Sequence, residues 1–445
     1  MFEIDPCREA FRTLEKREAS KVPPELVSLR RTAFSRFTEL GFPTPREEEW
    51  KYTNVSPLLK HQFKFSIEQP ANGLTAEEIH SFRLSGLAGA QLVFVNGLFS
   101  PKLSHTGELP SGVKAASLSE ALIHDPGLVR PELARTAPYG RNGFTALNTA
   151  FIHDGAFIHL SRGSGCEKPI HLVFITQTPS GPLISQPRNL IVLEAGSRAA
   201  VIESYYFLDG KAYLTNAVTE IVLKEDASLD YYKVQREDAR NGFHVATTGV
   251  RQDRNSRFFS FSISLGAKLE REDLNVLLGA EGSECTLNGL YLVSDGQHID
   301  HHTVIDHLKP QGTSHQLYKG ILKGKSHAVF NGKVFVREDA RKSDAEQVNK
   351  NLLLSDEAGV DTKPQLEISN DDVKCTHGAA VGQLDEDALF YLKSRGLDDE
   401  NSRDLLTHGF AADVINRARI DAVRMELDRE LWAWLQNDHL AGETK

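Results

Sequence analysis

Hydrophobic and polar residues follow three different patterns along the chain. Near the N-terminus, apolar residues recur at spacings of three and four between Glu25 and Leu40, and Gly41 follows, which predicts an amphipathic helix. The apolar run 91–95, followed by Asn96 and Gly97, predicts a strand that enters a turn. Residues 1–141 are therefore predicted to form an N-terminal helical region with a short strand segment.

From about residue 142 the pattern becomes that of strands. Over 259–265 apolar side chains alternate with serines, so the two sets face opposite ways. No helical periodicity is sustained before Gly378, which argues against alternating strand–helix units. The run is too long for a β-sandwich, and similar segments begin at Gly289 and Gly320, 31 residues apart. Residues 142–382 are therefore predicted to form a parallel β-helix, a solenoid of stacked strands.

Short turns are predicted between these strands. Asn or Asp followed by glycine favours the backbone conformations of tight turns. Such pairs occur at 154–155, 209–210, 241–242, 288–289, 295–296 and 331–332. This pattern places Gly289 and Gly332 in turns.

After Gly382 the pattern becomes helical. Asp385 and Asp398 are predicted to cap two successive helices, and a last helix carries an apolar stripe from Ile420 to Trp434. Residues 383–445 are therefore predicted to form a C-terminal helical domain. These helices can cap the solenoid, or their apolar side chains can bind a partner.

Composition and charge narrow the class of protein. The chain has 51 basic and 61 acidic side chains, a formal net charge of −10, and no dense basic block, so we expect neither nucleic-acid nor membrane binding. Neither a signal peptide nor a run of ~18 apolar residues is recognisable, so a cytoplasmic protein is expected. The four cysteines are widely spaced, which predicts neither a disulfide framework nor a self-contained zinc site.

Cys375 and His377 form a pair of potential soft-metal ligands. They lie two residues apart in a segment predicted to be extended, so their side chains share one face. A thiolate and an imidazole are half of a site for zinc, copper(I) or an iron–sulfur cluster. Another chain could supply the missing ligands; alternatively, the pair is a buried cysteine beside a structural histidine.

The segment from His298 to His307 is the densest set of potential ligands. In a strand, His298, Asp300 and His302 share one face over ~13 Å, too far apart for one ion, while His301 points away. Stacked polar residues of a solenoid explain this pattern, and a stand-alone metalloprotein is the alternative. A second alternative is a β-helical carbohydrate-active enzyme that uses paired carboxylates, an analogy of fold alone.

Five blocks in fixed order resemble the SufB/SufD family of iron–sulfur cluster assembly proteins, most closely its SufD branch. They are FNGKVFV at 330–336, QVNKNLLLS at 347–355, KPQLEI at 363–368, DDVKCTHG at 371–378 and FYLKSRG at 390–396. The segment PTPREEEWKY at 43–52 also resembles the family. Where SufB-like chains carry an acceptor cysteine this chain has Asn349, and where they carry a glutamate after their histidine it has Gly378.

The resemblance implies a right-handed parallel β-helix flanked by N-terminal and C-terminal α-helical regions. It implies a non-catalytic subunit of the SUF scaffold that pairs with a SufB-like paralogue and docks a SufC-like ABC ATPase. Whether the chain forms a homodimer when alone is left open by the sequence. No tightly bound cofactor is expected, only a transient Fe–S cluster or iron shared with the SufB-like partner. Carried over, His377 is the cluster-assembly candidate with Cys375 as its neighbour. The candidates for ATPase docking are Leu389, Phe390, Leu392, Leu405, Leu406, Phe410 and Val414.

Overall fold

A computed structural model describes residues 4–18, 22–66, 74–75, 78–79, 82, 84 and 86–442. The chain is mainly β, with parallel strands stacked into a solenoid of about 8 turns between N-terminal and C-terminal helices. The predicted fold class is therefore confirmed. None of the helices in these ranges combines the length and the apolar character that crossing a bilayer requires.

The N-terminal helices precede and flank the first strands. They are α1 (Ile4–Glu18), α2 (Pro24–Leu40), α3 (Ser56–Leu59), α4 (Leu118–His124), α5 (Pro126–Val129) and α6 (Gly143–Ala150), with a 3₁₀ turn at Glu48–Trp50. The helix predicted between residues 25 and 40 is confirmed as α2, which ends where Gly41 adopts a positive φ of 68°. A proline in its first turn suits this start because a helix leaves the first N–H groups unpaired.

The strands alternate between two sheets. In chain order they are β1 (Lys64–Phe65), β2 (Gln91–Val95), β3 (Leu98–Phe99), β4 (Val113–Ser117), β5 (Ala156–Leu160), β6 (Ile170–Thr178), β7 (Leu183–Ser185), β8 (Arg188–Leu193), β9 (Arg198–Gly210), β10 (Tyr213–Leu223), β11 (Ser228–Arg236), β12 (Gly242–Gln252), β13 (Arg257–Ser264), β14 (Leu269–Leu278), β15 (Glu284–Val293), β16 (His298–His307), β17 (Thr313–Leu322), β18 (His327–Val336), β19 (Asp344–Leu353), β20 (Gly359–Ile368) and β21 (Lys374–Gly382). The first sheet runs β4-β5-β8-β10-β12-β14-β16-β18-β20, and the second runs β3-β2-β6-β9-β11-β13-β15-β17-β19-β21. Each coil from β8 onward thus gives one strand to each sheet.

Apolar clusters attach both helical regions to the outside of the solenoid. Trp50 and Phe144 pack with Phe243 and Leu269 on the outer face of the first sheet. The C-terminal helices are α7 (Glu386–Ser394), α8 (Asp399–Ile415) and α9 (Asp421–Gly442). Leu427 and other side chains of α8 and α9 pack on the outer face of the second sheet. The predicted caps are confirmed, since the carboxylates of residues 385 and 398 accept hydrogen bonds from backbone N–H groups.

The alternation over 259–265 has its apolar side outside and its polar side within the lumen. Phe261 and its apolar neighbours lie under the C-terminal helices. The hydroxyl of Ser262 donates to Glu272 inside the lumen at 2.8 Å, and Lys233 Nζ lies 3.3 Å from the same carboxylate. The middle of the solenoid therefore encloses a buried polar network as well as apolar side chains.

Gly289, predicted in a turn, and Gly320, the start of the second similar segment, both lie inside strands. Gly289 is in β15, and a Cβ there would meet the ring of Tyr318 at 2.2 Å. Gly320 in β17 faces the ring of Tyr291 in the same way, at 2.1 Å. Gly289 pairs with Tyr318, and Tyr291 with Gly320, so the coil repeat here is 29 residues and the predicted offset of 31 is wrong. Each glycine leaves room for one tyrosine of the neighbouring coil.

The turn predicted at 331–332 is also wrong. Gly332 is inside β18, where a Cβ would lie 2.2 Å from the side-chain nitrogen of Gln347. Asn or Asp followed by glycine favours a turn only where the neighbouring strands leave the backbone unpaired. Gly332 instead leaves room for the side chain of Gln347 in the lumen.

Candidate functional site at the open end of the solenoid

The last coil leaves the edges of two strands open. Among the described residues β20 pairs only with β18, and β21 only with β19. β21 is exposed along almost its whole length. Because an unpaired edge presents backbone donors and acceptors, it is a template for pairing with another chain.

Cys375 and His377 both lie on β21, at the mouth of the lumen. Their Cα atoms are in register with Ala345 and Gln347 of β19, and both of those residues are buried. His377 is exposed, and Cys375 is half-buried against the interior apolar cluster. A second protein can therefore reach the imidazole directly and the thiol in part.

The two side chains differ in their fitness as ligands. Burial, followed by the negative charge of Asp344, raises the pKa of the Cys375 thiol above its usual value of 9.0. The thiol therefore stays protonated near neutral pH, whereas the thiolate is the form that binds metal. Two residues along a strand span about 7 Å. Between them, the thiol and the imidazole offer at most two donor atoms to one ion. His377 is the more accessible of the two potential ligands.

Asn349 occupies the lumen next to this mouth and is fully buried. Its amide nitrogen donates to the hydroxyl of Tyr291 at 3.1 Å and to the backbone oxygen of Tyr318 at 3.3 Å. Its oxygen accepts from Asn351 at 2.7 Å and from Thr362 at 2.8 Å. These contacts hold the amide inside the solenoid, and they leave it no role as a metal ligand.

The histidine-rich segment forms β16, and its side chains divide as predicted. His298, Asp300 and His302 face outward, where Asp300 and His302 contact Arg271. His301 faces the lumen, where its Nε2 lies 3.1 Å from the hydroxyl of Ser264. No cluster of three or more His, Cys, Asp or Glu residues arranged to hold a metal ion occurs in the described ranges. His298, Asp300, His301 and His302 thus make their contacts within this chain, with Thr53, Arg271 and Ser264 among their partners.

Paired carboxylates are present, but inside the solenoid. Glu270 and Glu272 both point into the lumen, with relative exposures of 0% and 4%. Ser264 donates to Glu270 at 2.6 Å, while Glu272 pairs with Lys233. No polysaccharide can reach carboxylates enclosed by two sheets, so this pair gives the carbohydrate-active alternative no support.

Two residues proposed for ATPase docking are buried. Leu389 is 3% exposed, and Val414 is 0% exposed within the apolar cluster between the C-terminal helices and the second sheet. Helical periodicity identifies an apolar stripe but not whether it faces the solenoid or a partner. We therefore remove both from the candidate set, because a buried side chain offers a partner no surface.

The other candidates lie at or near an exposed apolar surface. Leu392, Leu406 and Phe410 are half-buried. The most exposed apolar side chains of α7, α8 and their connection are Phe390 at 74%, Tyr391 at 55%, Leu405 at 44% and Leu397 at 38%. We call these four residues the helical patch; the sequence pattern had not singled out Tyr391 and Leu397. Exposed apolar patches of this kind mark protein interaction sites.

Fold and exposed surfaces together define a class: a parallel β-solenoid whose last coil has open strand edges and whose C-terminal helices expose apolar side chains. Comparison with known proteins makes this more specific. The family model of the SUF system FeS cluster assembly SufBD core domain matches residues 174–410, and that of the SufBD protein N-terminal region matches residues 8–172. The chain therefore belongs to the SufBD family of iron–sulfur cluster assembly proteins.

Individual relatives place it near SufD. An iron–sulfur cluster assembly SufBD family protein of Synechocystis is 34% identical over 90% of this chain and 89% of its own length. The iron–sulfur cluster assembly protein SufD of Escherichia coli is 32% identical over 87% of this chain and 88% of its own. Protein ABCI7, chloroplastic, of Arabidopsis thaliana is 28% identical over 91% and 85%, respectively. The chain is thus a SufD homologue, as the sequence blocks predicted.

One group of contacts was missed at the sequence level. The sequence at 43–52 indicates only a family resemblance, yet Glu49, Trp50 and Thr53 contact β14, β16 and β18 on the outside of the first sheet. The sequence signal that could have indicated these contacts is the position of Trp50 among charged residues. An aromatic side chain in such a segment needs a buried partner, and here the partner is Arg271.

Proposed function

We propose that this chain is the non-catalytic, SufD-type subunit of an iron–sulfur cluster assembly scaffold. Its open end pairs with the solenoid of a SufB-like chain, and its C-terminal helices dock a SufC-like ATPase. It holds no cofactor tightly by itself, and the nascent cluster or its iron is a cargo shared with the SufB-like partner. Family membership and the open strand edges of the last coil support this proposal.

The single observation that carries the proposal is the incomplete ligand set at the open end. His377 is exposed on a strand with one open edge, the neighbouring Cys375 thiol is half-buried with a raised pKa, and Asn349 is locked within the lumen. A cluster needs about four ligands. The remaining ones must come from a chain that meets this end of the solenoid.

Co-expression with SufB-like and SufC-like chains tests the cluster role. We expect His377→Ala to leave the complex assembled but to lower the iron and sulfide recovered per complex. The matched control is His315→Ala, since His315 is also a partly exposed histidine of the second sheet, paired at 3.4 Å with Glu346. If His377→Ala and His315→Ala gave the same cluster yield as the unsubstituted complex, His377 would be only structural.

ATPase docking is tested separately. Deleting the C-terminal helices would uncover the second sheet, so point substitutions in the helical patch are cleaner. We expect Phe390→Asp combined with Leu405→Asp to abolish capture of the SufC-like chain but not of the SufB-like chain. Ile123→Asp is the control, because Ile123 is equally exposed at 65% but lies on α4. Unchanged capture by the double variant would place docking elsewhere.

A further inference from the structure

Residues 48–53 cross the outer face of the first sheet, and we call this segment the strap. Its centre is Trp50, which is 5% exposed. The guanidinium of Arg271 lies 4.4 Å from the centre of the Trp50 ring, and its Nη1 donates to the backbone oxygen of Glu49 at 2.8 Å. Arg271 is itself fixed by Asp273 at 2.8 Å and Asp300 at 2.5 Å. The strap is therefore anchored on β14 and β16 by a buried cation.

The ends of the strap make further polar contacts. The hydroxyl of Thr53 donates to Asp300 and lies 2.8 Å from His298 Nε2. Toward the other end, Glu49 pairs with Lys333 of β18 at 2.5 Å. Glu48 pairs with Lys363 of β20. The strap thus spans four successive strands of the first sheet and ends on the last one.

The last contact falls on the strand that has an open edge. Among the residues that the structure describes, β20 has a hydrogen-bonded neighbour on one side only, so its local stability should be lower than that of interior strands. Lys363 faces outward to the strap, and the adjacent Thr362 faces inward and donates to Asn349 at 2.8 Å. Holding Lys363 therefore also holds the strand in register with the lumen of the preceding coil.

We propose that the strap positions β20 for pairing with the second solenoid chain, with Glu48 and Glu49 as positioning residues. The partner part of this inference rests on the proposed function. The ordering part concerns this chain alone. Two ion pairs, at Lys363 and Lys333, connect the N-terminal region to the last two strands of the first sheet. They keep the open edge extended before a partner arrives, which lowers the ordering cost of association.

Hydrogen–deuterium exchange on the isolated chain tests the ordering. We expect Glu48→Gln with Glu49→Gln to speed exchange of the β20 amides by about two- to fivefold, the range of one or two exposed ion pairs. Exchange in β10 should not change. Glu225→Gln is the control, because Glu225 forms an exposed pair with Arg254 at 2.6 Å, away from the strap. Unchanged exchange in β20 would overturn the inference.

Swapping the charges of Glu48 and Lys363 shows whether their ion pair is what orders β20. Glu48→Lys alone should speed exchange of β20 further, and adding Lys363→Glu should restore most of the protection. Failure of the second substitution to restore protection would mean that the strap acts without the pair, against the proposal. The two side chains are exposed enough for both variants to fold.

Capture of the SufB-like chain by the same variants separates the two proposals. We expect the Glu48→Gln, Glu49→Gln variant to bind the partner several-fold more weakly, and the charge-exchanged variant to recover. Faster exchange with unchanged capture would refute the positioning role and leave the proposed function intact. If the unsubstituted chain captured no SufB-like partner, the proposed function would fail and the positioning role with it.

Discussion

Replacing Glu270 with glutamine should stabilise this protein at alkaline pH. Glu270 is fully buried in the lumen, and one of its carboxyl oxygens has no hydrogen-bond partner within the described part of the chain. Burial, and then the charge of Glu272, raise its pKa from 4.5 to about 8, while Ser264 and Lys233 act in the opposite direction. The folded chain therefore holds this carboxyl neutral near pH 7.

The sign and size of the effect follow from proton linkage. Between pH 4.5 and 8 the unfolded chain has lost this proton and the folded chain has kept it, so raising the pH favours unfolding. Each pH unit costs the native protein about 1.4 kcal/mol, which sets a ceiling of about 5 kcal/mol near pH 8. Glutamine has a similar shape, accepts the hydrogen bond from Ser264 and carries no proton to lose. The advantage of Glu270→Gln should therefore be near zero at pH 4.5 and grow as the pH rises.

Urea unfolding followed by tryptophan fluorescence at pH 5, 6, 7 and 8 measures this difference. The control is Glu284→Gln, since Glu284 lies on β15 with a side chain that is 54% exposed. We expect the urea midpoint of the Glu270→Gln variant to rise above the midpoint of the unsubstituted chain as the pH increases. The urea midpoint of the Glu284→Gln variant should follow the unsubstituted chain. Parallel midpoints for all three proteins across this pH range would refute the burial argument.

Three further substitutions test other parts of the structure. Gly320→Ala should destabilise the chain by about 1–3 kcal/mol in urea unfolding, because its Cβ would lie 2.1 Å from the ring of Tyr291; an unchanged midpoint would contradict the packing. Glu220→Gln should lower the free energy of unfolding by about 3–5 kcal/mol, because the buried carboxylate pairs with the buried guanidinium of Arg188 at 2.6 Å and accepts hydrogen bonds from the backbone N–H groups of Ala134 and Arg135. A loss under 1 kcal/mol would argue against the importance of these contacts. Cys375→Ser should lower cluster yield less than His377→Ala does, and an equal loss would show that the thiol is a ligand.

The solenoid could be predicted from the sequence because its signals are local. Alternation over 259–265 reports two faces of a strand wherever it lies, and the absence of helical periodicity excludes alternating units. What alternation cannot tell is which face is inside. Phe261 faces outward because α8 and α9 cover that side of the sheet, and Ser262 faces inward because its hydroxyl donates a hydrogen bond to Glu272. The first fact depends on helices far away in the chain, and the second on the next strand, β14.

The same limit explains the wrong turn predictions at glycines and the buried residues among the candidates for ATPase docking. Gly289 resembles a turn residue in a local window, and only the neighbouring coil shows that Tyr318 requires the space. Leu389 and Phe390 are adjacent apolar residues of one helix, with exposures of 3% and 74%. Which of the two meets solvent is decided by the packing of α7 against α8. Tertiary packing, rather than local preference, set each of these outcomes.

The sequence predicts where the ligand pair at 375 and 377 lies, but not how far each of the two side chains is exposed to a partner. Its spacing placed both side chains on one face of a strand, which the structure confirms. The strand is the last of its sheet, so His377 meets solvent, whereas Cys375 stays against the interior cluster and beside Asp344. Neighbouring residues thus leave the His377 imidazole accessible and cover part of the Cys375 thiol.

This difference in exposure also implies an asymmetry between partners. If two copies of this chain met end to end, the joint would contain two exposed imidazoles and two protonated thiols, with both copies of Asn349 held in their own lumens. Such a joint is poorer in thiolate than a cluster requires. We therefore expect a homodimer to recover far less iron and sulfide than the complex with a SufB-like chain. Equal recovery would show that this end of the solenoid is sufficient on its own and would remove the chemical reason for a different partner.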